Sequence, residues 1–188
     1  PVRGITNHSS GKMGFAVARA ARAAGAEVTL LAGPVHLPTP RGVQRFNVQS
    51  AQQMFDATTE MANRASIFIA TAAVADWRPA HASDQKIKKD GSGDVPTLAF
   101  VENPDILAAV AHSPRAESGA LYCVGFAAES ENLIAHASAK RARKGVPLLV
   151  GNIGPATFGQ DDNALVLIDA EGHREIPRAS KQVLAAPA

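Results

Sequence analysis

Apolar positions recur along the chain in two periods, and their alternation predicts helices and strands in turn. Phe15, Ala16, Val17, Ala20, Ala21 and Ala24 lie at helical spacing in an Ala-rich run that Gly25 ends. Alanine is the strongest helix former, and glycine closes helices at left-handed caps. Val28 to Leu31 reads as a short strand, after which Gly33-Pro34 opens a Pro-rich loop running to Arg41-Gly42. Val43 to Val48 is a second strand, and Ser50 with Gln53 three residues on forms a capping box for a helix over Ala51 to Arg64, with Met54, Phe55, Thr58 and Met61 toward the core. Ile67-Phe68-Ile69-Ala70 is apolar at every position, as a parallel strand covered on both faces requires.

From Thr71 the pattern becomes a polar excursion, passing Asp76, Lys86-Ile87-Lys88-Lys89 and the Gly-rich run 90–94 before Leu98 to Val101 turns apolar again. Asn103-Pro104-Asp105 opens a helix with a cap, a proline at the first position and an early acidic side chain. Leu121 to Phe126 is a further buried strand. Ser130 caps a helix with Leu133, Ile134 and Ala137 inward, which ends in Lys140-Arg141-Ala142-Arg143-Lys144-Gly145. Leu148 to Val150 is the last parallel candidate, and Leu165 to Ile168 with the segment through Glu175-Ile176 forms a hairpin turning at Glu171-Gly172. The alternation predicts an α/β three-layer sandwich with a Rossmann-like, mostly parallel sheet and a β-hairpin at one edge, in one domain over residues 1–188. The loop and helix after Pro1 to Ile5 look like the second half of a strand-loop-helix unit, so a preceding strand is expected upstream.

Composition narrows the function classes. The 188 residues are 46% hydrophobic and 19% charged, enough for one well-filled globular core. A net charge of +2 and 5% aromatic residues offer no surface for nucleic acid. Cys123 is the only cysteine and stands in an apolar run, which excludes an intrachain disulfide and a cysteine-ligated zinc and fits a cytoplasmic protein. No apolar run approaches the roughly 18 residues of a membrane span, and the start of the chain is not built like a signal peptide.

The densest chemistry lies in Thr6-Asn7-His8-Ser9-Ser10-Gly11-Lys12-Met13-Gly14, just before the first helix. Free backbone N–H groups, the positive end of a helix dipole and Lys12 meet there and suit a phosphate or carboxylate. The loop is not a P-loop, because Thr6 and Met13 stand where that motif needs glycine and a hydroxyl, and Ser9 replaces the first glycine of the dinucleotide fingerprint. Lys86 and Lys88 alternate around Ile87 and in an extended conformation face one way, beyond the Asp76 carboxylate, on a Gly-rich flap suited to a polyphosphate. Lys140 and Lys144 lie one helical turn apart. The six histidines have no metal-ligand spacing, so no protein-held metal is expected, and a divalent cation would arrive as Mg²⁺ on a nucleotide. A nicotinamide-dependent reductase is disfavoured, since Ala32-Gly33-Pro34 follows the Val28 to Leu31 strand, which is second once the expected upstream strand is counted, where a ribose-reading residue belongs. A noncatalytic module would have no reason to gather Asn7, Asp76 and Lys86 at strand ends.

Several stretches together resemble phosphopantothenoylcysteine synthetase (phosphopantothenate-cysteine ligase), often fused in bacteria to a flavin-dependent decarboxylase. They are Pro1-Val2-Arg3 with Ile5 to Gly14, then Ala72 to Pro79, Lys86 to Lys89, Asn103 to Leu107, Gly125 to Glu129 and Lys140 to Lys144, all in family order. The resemblance implies that 4′-phosphopantothenate is joined to cysteine with CTP and Mg²⁺ through an acyl-cytidylate. It also implies a homodimer and, if a decarboxylase domain lies upstream, FMN in that domain. Asn7 matches the family's catalytic asparagine and Arg3 an arginine of the same site. Ala70, Thr71, Ala72, Asp76, Lys86, Pro104, Asp105, Ile106, Leu107, Phe126, Lys140 and Lys144 match nucleotide-site positions. Two departures stand out: the family's strand and Gly-rich turn before Pro1 are absent, and Pro147 and Ile153 replace residues that are often acidic.

Overall fold

The computed structural model describes residues 6–7, 9–81, 83, 85, 88, 97–129, 132–153 and 162–185. Arg3, Lys86 and the expected cap Ser130 lie outside the described residues. Helix α1 (Lys12–Ala23) starts at Gly11, whose φ of 72° is left-handed, and buries Phe15, Ala16 and Ala18. Strand β1 (Thr29–Ala32) pairs in parallel with β2 (Gln44–Asn47). In α2 (Ala51–Ala62) the expected capping box forms: the Gln53 N–H donates to Ser50 Oγ at 3.2 Å, and the Ser50 N–H donates to Gln53 Oε1 at 3.2 Å. The helix ends two residues before the expected Arg64, as the N–H groups of Asn63, Arg64 and Ala65 turn back to carbonyls three residues earlier and tighten the last turn. Met54, Thr58 and Ala62 are its buried side, while Phe55 and Met61 are half-buried.

Strand β3 (Ile67–Ala70) is followed by a two-stranded antiparallel ribbon of β4 (Trp77–Pro79) and β5 (Phe100–Glu102), then by α3 (Ile106–Ala111) and α4 (Pro114–Glu117). Next come β6 (Tyr122–Glu129), α5 (Leu133–Lys144), β7 (Leu148–Ile153), β8 (Asp162–Ile168), β9 (His173–Ser180) and α6 (Lys181–Leu184). The main sheet has the order β3-β6-β7-β8-β9, with β3, β6 and β7 parallel and the β8–β9 hairpin closing one edge antiparallel. Because side chains alternate along a strand, β6 and β7 feed two cores. Cys123, Ala127 and Leu149 join Val110 and Ala111 of α3 and Ala137 of α5 on one face. Val124 and Val150 face the other way, toward Met13 of α1 and Leu184 of α6. Helices thus cover both faces of the sheet, the α/β sandwich expected from the alternation.

Gly125 of β6 lets α3 settle onto the sheet. A Cβ at that position would lie 2.7 Å from Leu107 Cδ2 and 2.6 Å from Leu149 Cδ1. Two expectations are corrected. Ile67 is 60% exposed and Ile69 36%, so β3 is not covered on both faces. Among the described residues only Phe68 of that strand packs into a core cluster, on the α3 side; β3 stands at the edge of the five-stranded sheet apart from the β1–β2 pair, and its other face, carrying Ile67 and Ile69, is open to solvent. Second, Pro104 is not the first helical residue: α3 begins at Ile106 with Asp105 as its N-cap. Among the described residues no helix is long and apolar enough to cross a membrane.

Candidate active site at the carboxyl end of β3

The loop from Thr71 to Asp76 leaves the carboxyl end of β3, where open α/β sheets gather ligands; two distant segments converge on it, and a third is joined to the second. The first is the Thr6–Gly14 stretch. Asn7 Nδ2 donates to the carbonyls of Val74 at 3.2 Å and Ala73 at 3.4 Å. A Cβ at Gly14 would sit 2.6 Å from Thr71 Oγ1, so only glycine lets the first turn of α1 lie directly on the loop. Ser10 accepts from the Lys12 N–H at 3.4 Å and shapes the entry to that helix.

The second is the turn into α3. Asn103 donates its backbone N–H to the Asp76 carbonyl at 2.7 Å and its Nδ2 to the Ala75 carbonyl at 2.8 Å. Its Oδ1 accepts from Arg78 Nη1 at 3.1 Å, and the same nitrogen donates to the Glu102 carbonyl at 2.6 Å. These contacts carry Pro104, Asp105, Ile106 and Leu107 up to the loop. Leu107 then lies against Gly125, whose strand partner is Ala70.

The third is α5. Its Lys144 Nζ pairs with Asp105 Oδ2, while Asp105 Oδ1 accepts from the Ala108 N–H at 3.0 Å and caps α3. Partial burial pushes the Asp105 carboxyl up. The hydrogen bonds from Lys144 and Ala108 and the positive charges of Lys144 and Arg143 outweigh that, so its pKa lies below the usual carboxylate value. Lys140 is half-buried one turn earlier in α5.

Ala70, Thr71, Asp76, the 104–107 turn, Lys144 and Asn7 are therefore linked by direct contacts, with exposed Ala72 in the same loop. Phe126 is different: it packs half-buried against the second core cluster, on the face of β6 opposite Leu107, as Met13 of α1 also does. Asn103 and Arg78 were not singled out from the sequence as site residues. The only signal was an asparagine ahead of a proline, which reads equally well as a helix cap.

Two open grooves lie elsewhere. One, of about 910 Å³, runs between the start of α5 and the hairpin and is lined by Leu133, Ile134, Leu165, Ile176 and Pro177 among others. The other, of about 540 Å³, opens at the amino ends of β6 and β7 beside Tyr122, Cys123 and Arg141. Neither holds a residue of the expected site. Burial raises the Cys123 thiol pKa, which makes it a packing group and a poor nucleophile. Among the described residues no three His, Cys, Asp or Glu side chains gather to hold a metal. A divalent cation here would be carried on substrate phosphates with its own waters.

The match to known proteins covers this whole arrangement. The chain belongs to the DNA/pantothenate metabolism flavoprotein C-terminal domain family, which matches residues 1–187. It is 48% identical over 188 residues to the coenzyme A biosynthesis bifunctional protein CoaBC of Vibrio cholerae, covering 98% of this chain and 46% of the relative. It is 46% identical over 192 residues to CoaBC of Escherichia coli K12, with the same shares covered. The chain thus spans a little under half the length of these relatives. The crystal structure of the C-terminal domain of CoaBC superposes with a TM-score of 0.80 at 32% identity, covering 98% of this chain and 82% of that one. A Cab2 mutant in complex with phosphopantothenate-cysteine shares the fold, with a TM-score of 0.77 at 16% identity, covering 97% of this chain and 78% of that one. The family resemblance noted in the motifs is borne out.

Proposed function

We propose that this chain is the ligase part of a coenzyme A biosynthesis protein, joining 4′-phosphopantothenate to cysteine with CTP. The observation that carries the reading is the convergence of Asn7, Asp76 and the Asp105 turn on the single loop 71–76 at a strand end. Two sources of support come from the relatives: the bifunctional CoaBC proteins act in coenzyme A biosynthesis by name, and a protein of the same fold was solved with phosphopantothenate-cysteine.

In this reaction the carboxylate of phosphopantothenate attacks the α-phosphorus of CTP, forming an acyl-cytidylate as the bond to pyrophosphate breaks. The cysteine amine then attacks the acyl carbon, the C–N bond forms, CMP leaves with the C–O electrons, and the ammonium proton passes to solvent. The second step builds an oxyanion at the carbonyl, and Asn7 is the neutral donor for it. Its two N–H bonds to Ala73 and Val74, at 3.4 and 3.2 Å, are long and yield readily to a charged acceptor. Arg3 and Lys86 complete the anionic contacts, and Asp76, the 104–107 turn, Phe126, Lys140 and Lys144 receive the nucleotide. Mg²⁺ bound to CTP supplies neutralisation of the polyphosphate charge.

Among the described residues β1–β2 stand apart from β3, which supports a further parallel strand between them. The relatives' bifunctional names support an attached flavoprotein decarboxylase domain holding FMN. The exposed β9 edge supports a homodimer, and the pathway fits the cytoplasm. The deciding experiment incubates the full-length protein with 4′-phosphopantothenate, cysteine and either CTP or ATP. Phosphopantothenoylcysteine and CMP in equal amounts are expected with CTP; no ligated product with either nucleotide sinks the reading.

A further inference from the structure

Asp76 and Asp105, both assigned above to the nucleotide site, lie just beyond the open end of the β4–β5 ribbon, and Asn103 extends the tie between the two segments past the Trp77–Glu102 pair. Its side chain reaches a backbone carbonyl 28 residues away. Both bonds it donates, at 2.7 and 2.8 Å, are at the short end of the N–H···O range, whereas those of Asn7 are at the long end. All three groups that Asn103 directs toward the site are engaged: its N–H on Asp76, its Nδ2 on Ala75 and its Oδ1 on Arg78. The guanidinium fixes which way round the amide sits, since an amide turned over would oppose two donors and two acceptors. Pro104 confines residue 103 to extended backbone, so the turn can leave in only one direction.

We propose that Asn103, oriented by Arg78, is a positioning residue for nucleotide binding: it sets the distance between the Asp76 loop and the 104–107 turn. This inference rests on the ligase reading for the identity of the nucleotide. Asparagine is required because one side must donate to a carbonyl while the other accepts from a cation. Aspartate would lose the donor and set a carboxylate oxygen against the Ala75 carbonyl. Serine is too short to span both partners. Neither residue touches the reacting carbonyl in this role, so their loss acts on the nucleotide and leaves the Asn7 step intact.

The test uses the full-length protein and compares the parent with Asn103→Ala, Asn103→Asp and Arg78→Ala, each assayed well below its own thermal midpoint. The KM for CTP is expected to rise by roughly tenfold in both Asn103 variants, in line with the loss of its half-buried bond to Ala75 and its exposed bond from Arg78, and several-fold in Arg78→Ala. The kcat at saturating CTP should stay within about threefold of the parent. Arg78→Lys should recover part of the loss, because it restores a donor to Oδ1. A lowered thermal midpoint with an unchanged KM for CTP would make Asn103 a purely structural tie and overturn the proposal. Calorimetric titration with CTP, ATP and NADPH separates this from the ligase reading. A parent that binds one of these nucleotides but makes no product ends the ligase reading alone; Asn103→Ala must then still weaken that nucleotide, and equal affinity overturns the positioning role.

Discussion

The corner around loop 71–76 and the β8–β9 hairpin are held together by different means. The hairpin is a backbone ladder, registered from Asp162 opposite Ser180 to Ile168 opposite His173, with Leu165, Val166 and Ile168 buried beneath it. Its ion pair, Arg178 to Asp162, is doubly hydrogen-bonded at 2.8 and 2.9 Å but lies on the surface, its side chains 58% and 45% exposed. The corner's regular pairing is the short β4–β5 ribbon. Side chains from residues 7, 78, 103 and 144 hold it by gripping backbone carbonyls and a helix cap. The better-shaped ion pair thus sits where it links two strands already paired, and the corner's pair links the cap of α3 to the end of α5, two helices with no backbone ladder between them. An ion pair matters by what it joins, and good geometry at the surface adds little.

The largest effect that sharpens this contrast is expected from Asn7→Asp. It keeps the size, removes the donor and adds repulsion toward the oxyanion, so about 2.7–4 kcal/mol of barrier lowering is lost and turnover falls by a hundredfold or more. The thermal midpoint should barely move; a large drop in stability with parental turnover would make Asn7 a loop-holding residue only. Next comes Lys86→Gln, which should weaken CTP binding by about 1.5–3 kcal/mol in calorimetry. Unchanged affinity removes Lys86 from the site.

Gly125→Ala should destabilise by about 1–3 kcal/mol, because its Cβ would press on Leu107 and the fully buried Leu149. Denaturant unfolding reads that cost, and KM for CTP reads the displaced 104–107 turn.

Smaller still is the pH effect at Asp105. Its folded pKa is depressed, so the stability from its cap and pair is fully present above the unfolded value near 3.8 and is lost as pH falls through the lower folded value. Asp105→Asn, which keeps the cap acceptor, should flatten that acid limb below the unfolded value near 3.8, by about 1 kcal/mol or less given its exposure. A parallel acid limb in parent and variant contradicts the role of the pair. Arg178→Met, at the hairpin, should leave activity and the thermal midpoint where they were, and a clear loss of either breaks the comparison.

What was legible in the sequence follows the same division. Regular elements announce themselves by period: α1 ends where its apolar spacing ends, and Ser50 with Gln53 formed the capping box they spell. The run Ile67 to Ala70 was legible as a strand but not as an edge, because an unbroken apolar run looks the same whether or not a neighbour covers it. Within the site, Asp76 could be placed from its position after a strand, and Lys144 from its helix. The contribution of Asn103 and Arg78 could not be read, since a bond from a side chain to a carbonyl 28 residues away leaves no period and no spacing. Asp105 was expected inside the first turn of the helix and is instead its N-cap, the Ala108 N–H donating to its Oδ1.

The central claim, a nucleotide-activated ligation at loop 71–76, is tested most directly by following oxygen. 4′-Phosphopantothenate labelled with ¹⁸O in its carboxylate is incubated with CTP, cysteine and the full-length protein, and the products are weighed by mass spectrometry. If the carboxylate attacks the α-phosphorus, one label per turnover appears in CMP, and Asn7→Asp slows its appearance. Unlabelled CMP, or label in orthophosphate, would contradict the account.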